Sequence, residues 1–439
     1  MATREQKSGK IFYGWWIVLV AVIGLSVHAA PILIFTFGVF LKSFSEEFGW
    51  SRGQVSLAPS LSNLGLTVAA PFLGHLVDRF GARRVILPST LLFGAGVLSL
   101  YFLSAHLWHF YAIFLFMGVV GSATSPVPYS KVISRWFDRQ RGLALGLALV
   151  GSSMGSAAMP SLAQALISSV GWRSTYVLLG LLAMGITLPV VGLFLTETPQ
   201  LVGLLPDGEA RAATAAKKFE PEPGLSSREA RYTATFWVLV SAAFLISASF
   251  VGCLINLVPL LTDRGVSAQS AALATSVGMG GALLARAGTG YLLDRFFVAY
   301  VAVPFFCGSA LGILLLWSGV AGGLAFVAAV LVGLGQGAEF DMLPYAISRY
   351  FGLRALGEIY GYTFAAVTLG AAVGPLVMGV SFDATGSYSL ALISFAVASF
   401  TAAGLMLGLG PYRVWEPMAE PVVAAISEAS PITISLQEE

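Results

Sequence analysis

Arg286 is the residue whose surroundings point most directly to chemistry, because it lies within an otherwise apolar segment, residues 276–293. A guanidinium stays protonated at physiological pH, and placing one inside a bilayer is unfavourable unless it faces a polar cavity or a partner. Its fork of N–H groups can hold a carboxylate with two hydrogen bonds. We therefore predict that Arg286 anchors an anion that binds and leaves; the alternative is a structural arginine bonded to a fixed carbonyl or carboxylate.

Two carboxylates, Glu339 and Asp341, lie in another apolar segment. Asp341 precedes Arg349 by eight residues, as Arg286 precedes Asp294, so both side chains are expected about 12 Å from that end of their helices. Glu339 and Asp341 are about 200° apart around a helix and cannot face one point. We expect one of them to pair with Arg286 in the empty protein and to take up a proton when a substrate carboxylate displaces it. A permanent structural pairing in the second half of the chain is the alternative.

Other polar residues in apolar segments are candidates for contact with a substrate. Tyr129 and Tyr345 each follow a proline at equivalent places in the two halves of the chain, His28 has a pKa range suited to proton transfer, and Asn256 carries an amide. Each also has an ordinary structural interpretation, as an interfacial tyrosine or a hydrogen-bonding group in helix packing. Lys131 is expected to extend its amine toward water at the end of its span.

Membrane-spanning helices are the elements that must position these residues. The 439 residues are 57% hydrophobic and 10% charged, whereas soluble domains carry about 25% charged residues. A span needs about 20 apolar residues. Twelve such runs are predicted, at roughly 14–41, 54–77, 85–105, 108–134, 142–169, 174–195, 234–262, 268–293, 298–318, 321–348, 356–381 and 387–409.

The polar segments divide this pattern in two. We predict six-helix bundles at residues 1–195 and 233–409, a linker at 196–232 and a disordered tail at 410–439. Of the 24 Lys and Arg residues we place 18 on the side of the N-terminus, four on the other side and two within spans. The positive-inside rule then puts both termini and the linker in the cytoplasm, and we expect the chain in the plasma (inner) membrane.

The two halves of the chain repeat at an offset near 215 residues. One motif, Gly-x-x-x-Asp-Arg-Phe, occurs as Gly74, Asp78, Arg79 and Phe80 and again as Gly290, Asp294, Arg295 and Phe296. Two parallel repeats with a site between them are typical of secondary transporters. An enzyme is not predicted, because the four histidines lack metal-ligand spacing and no nucleotide-binding loop is present. A net charge of +2 gives no reason to expect nucleic-acid binding, and no cofactor or metal is expected.

The first copy of the motif continues as Gly74-His-Leu-Val-Asp78-Arg79-Phe-Gly81-Ala-Arg83-Arg84 and resembles the signature loop of the major facilitator superfamily. The resemblance implies an all-α membrane protein of twelve helices in two pseudo-symmetric six-helix bundles, with a cavity between them. Gly74 would permit close helix contact, Gly81 would form the turn, and Asp78 would cap a neighbouring helix or pair with a basic residue. The second copy lacks the final Gly-x-Arg-Arg, so this latch between the halves is expected to be asymmetric.

A narrower resemblance rests on residues 10–18, Lys-Ile-Phe-Tyr-Gly-Trp-Trp-Ile-Val, and on the arginine of span eight. Both are similar to the monocarboxylate transporters and to the bacterial oxalate:formate-antiporter-like proteins, and this similarity implies a substrate-binding role for Arg286. The antiporters are expected to use a lysine in span eleven, which this chain lacks, and a single cation favours one carboxylate. Ala282 stands where animal monocarboxylate transporters typically carry an aspartate, so their proton site is not carried over.

These features together predict a transporter that moves small monocarboxylates of the lactate or pyruvate type with protons, by alternating access. An organic-anion exchanger of the oxalate:formate type is the alternative, and a transporter-like sensor is disfavoured by the short linker and tail. The expected partners are a small organic anion, protons and the lipid bilayer. The sequence leaves open the particular acid, symport or exchange, the oligomeric state and any accessory subunit.

Overall fold

The computed structural model describes residues 12–208, 222–320 and 322–412, and its regular elements there are helices. The predicted N-terminal residues 1–11 and nearly all of the predicted tail lie outside the described residues, as do residues 209–221 of the linker. The helices of the first half are α1 (Gly14–Ser26), α2 (Phe37–Phe48), α3 (Arg52–Phe80), α4 (Ala82–Ser99), α5 (Leu107–Gly121), α6 (Pro126–Trp136) and α7 (Arg141–Phe194). Those that follow are α8 (Ser227–Arg231), α9 (Ala234–Ile255), α10 (Leu257–Thr262), α11 (Ala268–Leu293), α12 (Val298–Trp317), α13 (Gly323–Phe351), α14 (Leu356–Thr385) and α15 (Ser389–Leu407).

Ten helical segments of the described chain are long and apolar enough to cross a membrane. One of them, α7, holds two spans, because Gly171 adopts φ +79° and ψ 163° and breaks the helix there. A further span is α11, whose 26 residues include Arg286. The described residues therefore hold the twelve predicted spans in two six-helix bundles.

Three hydrophobic cores show how the bundles meet. One contains residues of both halves and lies where α3 and α13 end and where α4, α7 and α14 begin. We call this end of the molecule the linker face, because residues 195–208 and 222–233 lie there. The other two cores belong to one half each and lie toward the opposite face. The bundles are thus joined at the linker face and keep separate cores at the other end.

Two aspartates, one from each copy of the repeated motif, hold the bundles together at the linker face. Asp78, near the end of α3, accepts hydrogen bonds from the first amides of α14, those of Gly357 at 2.8 Å and Glu358 at 2.7 Å. Asp294, after α11, accepts bonds of 2.7 and 2.9 Å from the first amides of α7. A carboxylate is favoured at this place, because helix N-termini carry unsatisfied N–H groups and partial positive charge. The predicted capping by Asp78 is confirmed, and Asp294 forms an equivalent cap, so the difference between the two copies lies in the residues that accompany the caps.

Lys131 distinguishes the two caps. Its amine lies 2.7 Å from an oxygen of Asp78, and its side chain is only 1% exposed. The expectation that Lys131 extends to water is therefore wrong, because a carboxylate inside the protein provides a nearer partner than the solvent. At the second cap, Arg349 of α13 instead pairs with Asp138 of the first half at 2.9 Å. Both contacts add charge pairing to the joined end of the bundles.

The approach of α3 to α14 leaves no room for a side chain at Gly74, since a β-carbon there would lie 2.1 Å from the carbonyl oxygen of Gly357. We expect Gly74→Ala to destabilise the conformation joined at the linker face by about 1–3 kcal/mol, measured as a lower midpoint of thermal unfolding in detergent. Gly185→Ala is the matched control, because a β-carbon at this position of α7 meets nothing within 4 Å. Equal unfolding midpoints for the two variants would contradict the prediction.

Candidate anion-binding site

Arg286 lies on α11 at the interface between the two bundles. Its side chain is 9% exposed, and its Nη1 atom donates a 2.9 Å hydrogen bond to the carbonyl oxygen of Leu149 on α7. The guanidinium carbon also lies 5.0 Å from the centre of the Phe340 ring. Within the described residues, Arg286 makes this one hydrogen bond, whereas a guanidinium has five N–H donors. Donors therefore remain for an anion that enters between the bundles.

Asp341 also faces the interface between the bundles. It is fully buried, and its Oδ2 atom would lie 3.3 Å from a β-carbon placed on Gly146 of α7. Gly146 also brings α7 close to the backbone of Arg286, whose carbonyl oxygen would lie 3.1 Å from that same β-carbon. The absence of a side chain at Gly146 therefore lets Arg286 and Asp341 approach α7 together.

Glu339 faces in another direction, as its angular separation from Asp341 requires. It is 1% exposed and borders a small cavity within the second bundle. The other residues around this cavity are apolar: Leu239, Ala242, Ala243, Phe306, Met342, Leu343 and Met406. Glu339 therefore lies inside one bundle, while Asp341 lies between two.

The expected pairing of a carboxylate with Arg286 is absent from this structure. Neither Glu339 nor Asp341 has a hydrogen-bond partner among the described residues. The charges of both are near enough to Arg286 to interact with it through space. Direct contact is missing because the guanidinium is directed toward the carbonyl of Leu149 and the ring of Phe340.

Tyr360 joins the site although the sequence reasoning did not select it. This residue of α14 is fully buried, and its hydroxyl has no partner with hydrogen-bond geometry in the described part of the chain. It is near enough to Arg286 and Asp341 for electrostatic interaction, and Ser130 of the first bundle lies beside it. A signal was available, since Tyr360 belongs to span eleven, the span from which the antiporters are expected to provide a lysine.

His28 approaches the site from the first bundle. It lies in the break after α1, is 6% exposed, and its Nδ1 atom is 2.6 Å from the carbonyl oxygen of Leu25. Since a carbonyl only accepts, Nδ1 carries the hydrogen, and the neutral ring keeps Nε2 as an acceptor. The imidazole is near enough to Arg286 for their charges to interact. His28 thus contributes a proton acceptor on the side of the interface opposite α11.

Residues 23–375 match the sequence model of the Major Facilitator Superfamily. The chain belongs to this superfamily. It is 26% identical over 421 residues to monocarboxylate transporter 11 of Homo sapiens, covering 94% of this chain and 84% of the relative. It is 26% identical over 443 residues to monocarboxylate transporter 13 of Bos taurus, covering 97% and 96%.

A solved structure agrees with this assignment at the level of the fold. The fucose:proton symporter FucP of E. coli superimposes with a TM-score of 0.68 at 16% identity, covering 90% of this chain and 98% of FucP. The family match and the relatives named as transporters make the protein a membrane transporter of the superfamily and not an enzyme. No group of His, Cys, Asp and Glu suited to a metal ion occurs among the described residues of the transporter.

Three predicted contact residues of the transporter make their described contacts with residues other than Arg286. Tyr129 packs its hydroxyl against Gly24 of α1 and has no hydrogen-bond partner among the described residues. Tyr345 lies at the linker face, where the guanidinium carbon of Arg349 is 5.3 Å from its ring centre. Asn256 donates a 3.0 Å bond to the carbonyl of Gly252 in its own helix.

The arginines of the repeated motif also lie at the linker face. Arg79 is near the ring of Phe80, at 5.2 Å, and Arg295 is 3.7 Å from the ring centre of Tyr291. Gly81 adopts φ +90° at the turn between α3 and α4, as its place in the motif predicts. These residues belong to the joined end of the bundles and not to the site around Arg286.

Proposed function

We propose that the protein is a secondary active transporter that carries small monocarboxylates, of the lactate and pyruvate type, together with protons. One observation carries the proposal: a buried guanidinium and a buried carboxylate, Arg286 and Asp341, lie near each other between the bundles without direct contact. A guanidinium with unused donors is suited to a carboxylate. The similarity to proteins named monocarboxylate transporters supports the same class of substrate.

A single available cation favours a single carboxylate. The other two buried lysine or arginine side chains among the described residues are engaged at the linker face, where Lys131 pairs with Asp78 and Arg141 pairs with Asp138. Span eleven contributes the hydroxyl of Tyr360 near Arg286 and no basic residue. A monocarboxylate with a 2-hydroxy or 2-oxo group would place its carboxylate against Arg286. The oxygen on its carbon 2 would then point toward a neutral hydrogen-bond donor such as Tyr360.

Charge balance supplies the reason for proton coupling. Arg286 and an ionised Asp341 together carry no net charge, and a bound anion would leave one uncompensated negative charge in a site of low dielectric, which is unfavourable. A proton on Asp341 restores neutrality, so we propose that acid and proton cross together. Glu339 is the weaker candidate for this role because it borders an otherwise apolar cavity within the second bundle. His28 offers a second place for the proton.

The two cores that belong to one bundle each are separate at the face opposite the linker, and this separation supports alternating access. The conformation described here is joined at the linker face, so a substrate would enter from the opposite face and reach Arg286 at the depth where the bundles come together. Opening toward the linker face would require both aspartate caps to release their helices. From the distribution of Lys and Arg we propose that the linker face is cytoplasmic, with both termini on that side. We also propose that the protein lies in the plasma (inner) membrane, where it could take up acids from outside the cell.

Replacement of Tyr360 by phenylalanine should weaken substrate binding without preventing transport. Loss of one hydroxyl donor from a buried site costs about 1–2 kcal/mol, so KM for L-lactate is expected to rise about five- to thirtyfold with little change in maximal rate. Tyr362→Phe is the matched control on the same helix, because the Tyr362 hydroxyl bonds to Arg231 on the exterior. An equal KM in both variants would remove Tyr360 from the site.

Uptake of labelled L-lactate into proteoliposomes, with competing unlabelled anions outside and no anion inside, tests the proposed substrate class. We expect pyruvate and other short monocarboxylates to compete strongly and oxalate to compete weakly. Uptake that begins only when a carboxylate is loaded inside would favour the anion exchanger. Strong competition by oxalate would contradict the single-carboxylate site.

A further inference from the structure

A second place suited to an anion lies at the linker face, apart from Arg286. A cavity of about 880 Å³ is bordered there by the end of α3, the start of α4, the end of α6 and the segment after α7. Its wall carries five arginines: Arg79, Arg83, Arg84, Arg135 and Arg354. Three acidic residues share the wall, so the positive charges are in excess.

The acidic residues of this cavity are already engaged. Asp78 accepts from two backbone amides and from Lys131. Glu197 accepts from the backbone amide of Arg83 at 3.1 Å and lies 3.6 Å from Arg135. Glu222 accepts from Arg135 at 2.9 Å. These contacts use the acids and a single guanidinium, that of Arg135.

The remaining four guanidinium groups have no carboxylate partner in an ion pair within the described residues. The Arg83 side chain donates to the backbone carbonyl of Gly192, and Arg79 lies against the ring of Phe80. Arg84 and Arg354 are exposed. Four like charges around one cavity repel each other, and an anion that reaches several of them relieves that repulsion. Planar guanidinium forks are suited to phosphate oxygens in particular.

We propose that this cavity binds a phosphate-bearing anion and that its occupancy stabilises the conformation joined at the linker face. Arg79, Arg83 and Arg84 come from the first bundle, and Arg354 lies between α13 and α14 of the second. A ligand held by both sets therefore spans the two bundles beside Asp78, whose cap on α14 exists only while they are joined. Any ligand that binds one conformation more tightly shifts the equilibrium toward it.

The rim of the cavity favours a lipid headgroup as the source of the phosphate. Phe80 and Leu201 border the cavity and are 47% and 64% exposed. Beside them, Leu193 and Phe194 at the end of α7 are 74% and 55% exposed. An anionic phospholipid would place its phosphate among the arginines and its acyl chains against these side chains. A free phosphorylated metabolite presents the same phosphate without the chains.

The test uses the purified full-length protein without transported substrate. One arm adds sn-glycerol 1-phosphate in detergent at constant ionic strength, and the other compares nanodiscs of phosphatidylcholine alone with nanodiscs that also contain phosphatidylglycerol. The readouts are the midpoint of thermal unfolding and hydrogen exchange at the amides of Gly357 and Glu358, which donate to Asp78. We expect a higher midpoint and slower exchange at these two amides.

Variants separate a built site from general surface charge. Arg354→Gln and Arg84→Gln are each expected to weaken the apparent affinity about tenfold, as loss of one charge-assisted hydrogen bond would. Arg228→Gln is the matched control, since Arg228 is exposed on α8 and does not border the cavity. Arg286→Gln is expected to retain the response. Retention would show that the probe binds away from the proposed substrate site.

The possible outcomes distinguish a lipid from a soluble source of the phosphate, and two of them would contradict the proposal. A response to glycerol phosphate identifies a soluble ligand, and a response to phosphatidylglycerol alone identifies the lipid. If neither probe changes stability or exchange, or if Arg228→Gln weakens the response as much as Arg354→Gln does, the cavity is not a phosphate site. Because no monocarboxylate is present, the result does not depend on the proposed transport activity.

Discussion

Arg286→Ala is expected to reduce uptake of L-lactate at subsaturating concentration by about 30-fold or more, because loss of one partner from the buried pair of guanidinium and substrate carboxylate costs about 2–5 kcal/mol. Arg286→Lys keeps the charge but loses the planar fork, so an intermediate loss of about tenfold is expected. The measurement is the initial rate of labelled uptake into proteoliposomes, normalised to the amount of folded protein.

Arg264→Ala serves as the matched control for Arg286→Ala. Arg264 also donates to a backbone carbonyl, that of Leu316, but it lies in the loop before α11 and away from the interface. If Arg286 acts only as a structural residue through Leu149, both variants should lower stability and uptake in parallel. Near-normal uptake by a well-folded Arg286→Ala protein would refute the anchoring role.

The second large effect should separate the two carboxylates of α13. In Asp341→Asn, an imposed inward proton gradient is expected to give no increase in the rate or extent of lactate uptake, because the amide cannot take up the proton that balances the substrate charge. In Glu339→Gln, uptake is expected to stay within about twofold of the unmodified protein, since an acid held among apolar residues is favoured in its neutral form and the amide matches its shape.

The pair of substitutions is also its own control, because both replace an acid of the same helix by its amide. Thermal unfolding of each variant shows whether the fold is retained. The reverse result, with coupling lost in Glu339→Gln and kept in Asp341→Asn, would move the proton site into the second bundle. Retention of coupling when both are replaced would leave His28, water or the substrate as the carrier.

Much of the architecture could be predicted from the residues. Twelve apolar runs separated by short polar loops define the spans, and the repeat of Gly74 and Asp78 as Gly290 and Asp294 indicates two related halves. The capping by Asp78 follows from its place after a span and before a turn. An arginine in an apolar segment must find a polar partner, so the burial of Arg286 between the bundles was also predictable.

The arrangement around Arg286 was less predictable. Because α13 is apolar around much of its circumference, its sequence does not show which side of the helix faces the other bundle. The spacing of Glu339 and Asp341 showed that they diverge, but the packing of the bundles decides that Asp341 faces α7 and Glu339 faces inward. The surroundings of Tyr360 and Lys131 were unpredictable for a related reason. Ser130 lies beside Tyr360 and Asp78 pairs with Lys131, and both neighbours are distant in the chain.

The most direct test of the central claim is the accumulation of labelled L-lactate in proteoliposomes that contain no internal anion, with and without an inward proton gradient. The account predicts accumulation above the external concentration only with the gradient, and loss of that accumulation in Arg286→Ala. Uptake that ignores the gradient and requires an internal carboxylate would contradict proton-coupled transport and establish exchange in its place.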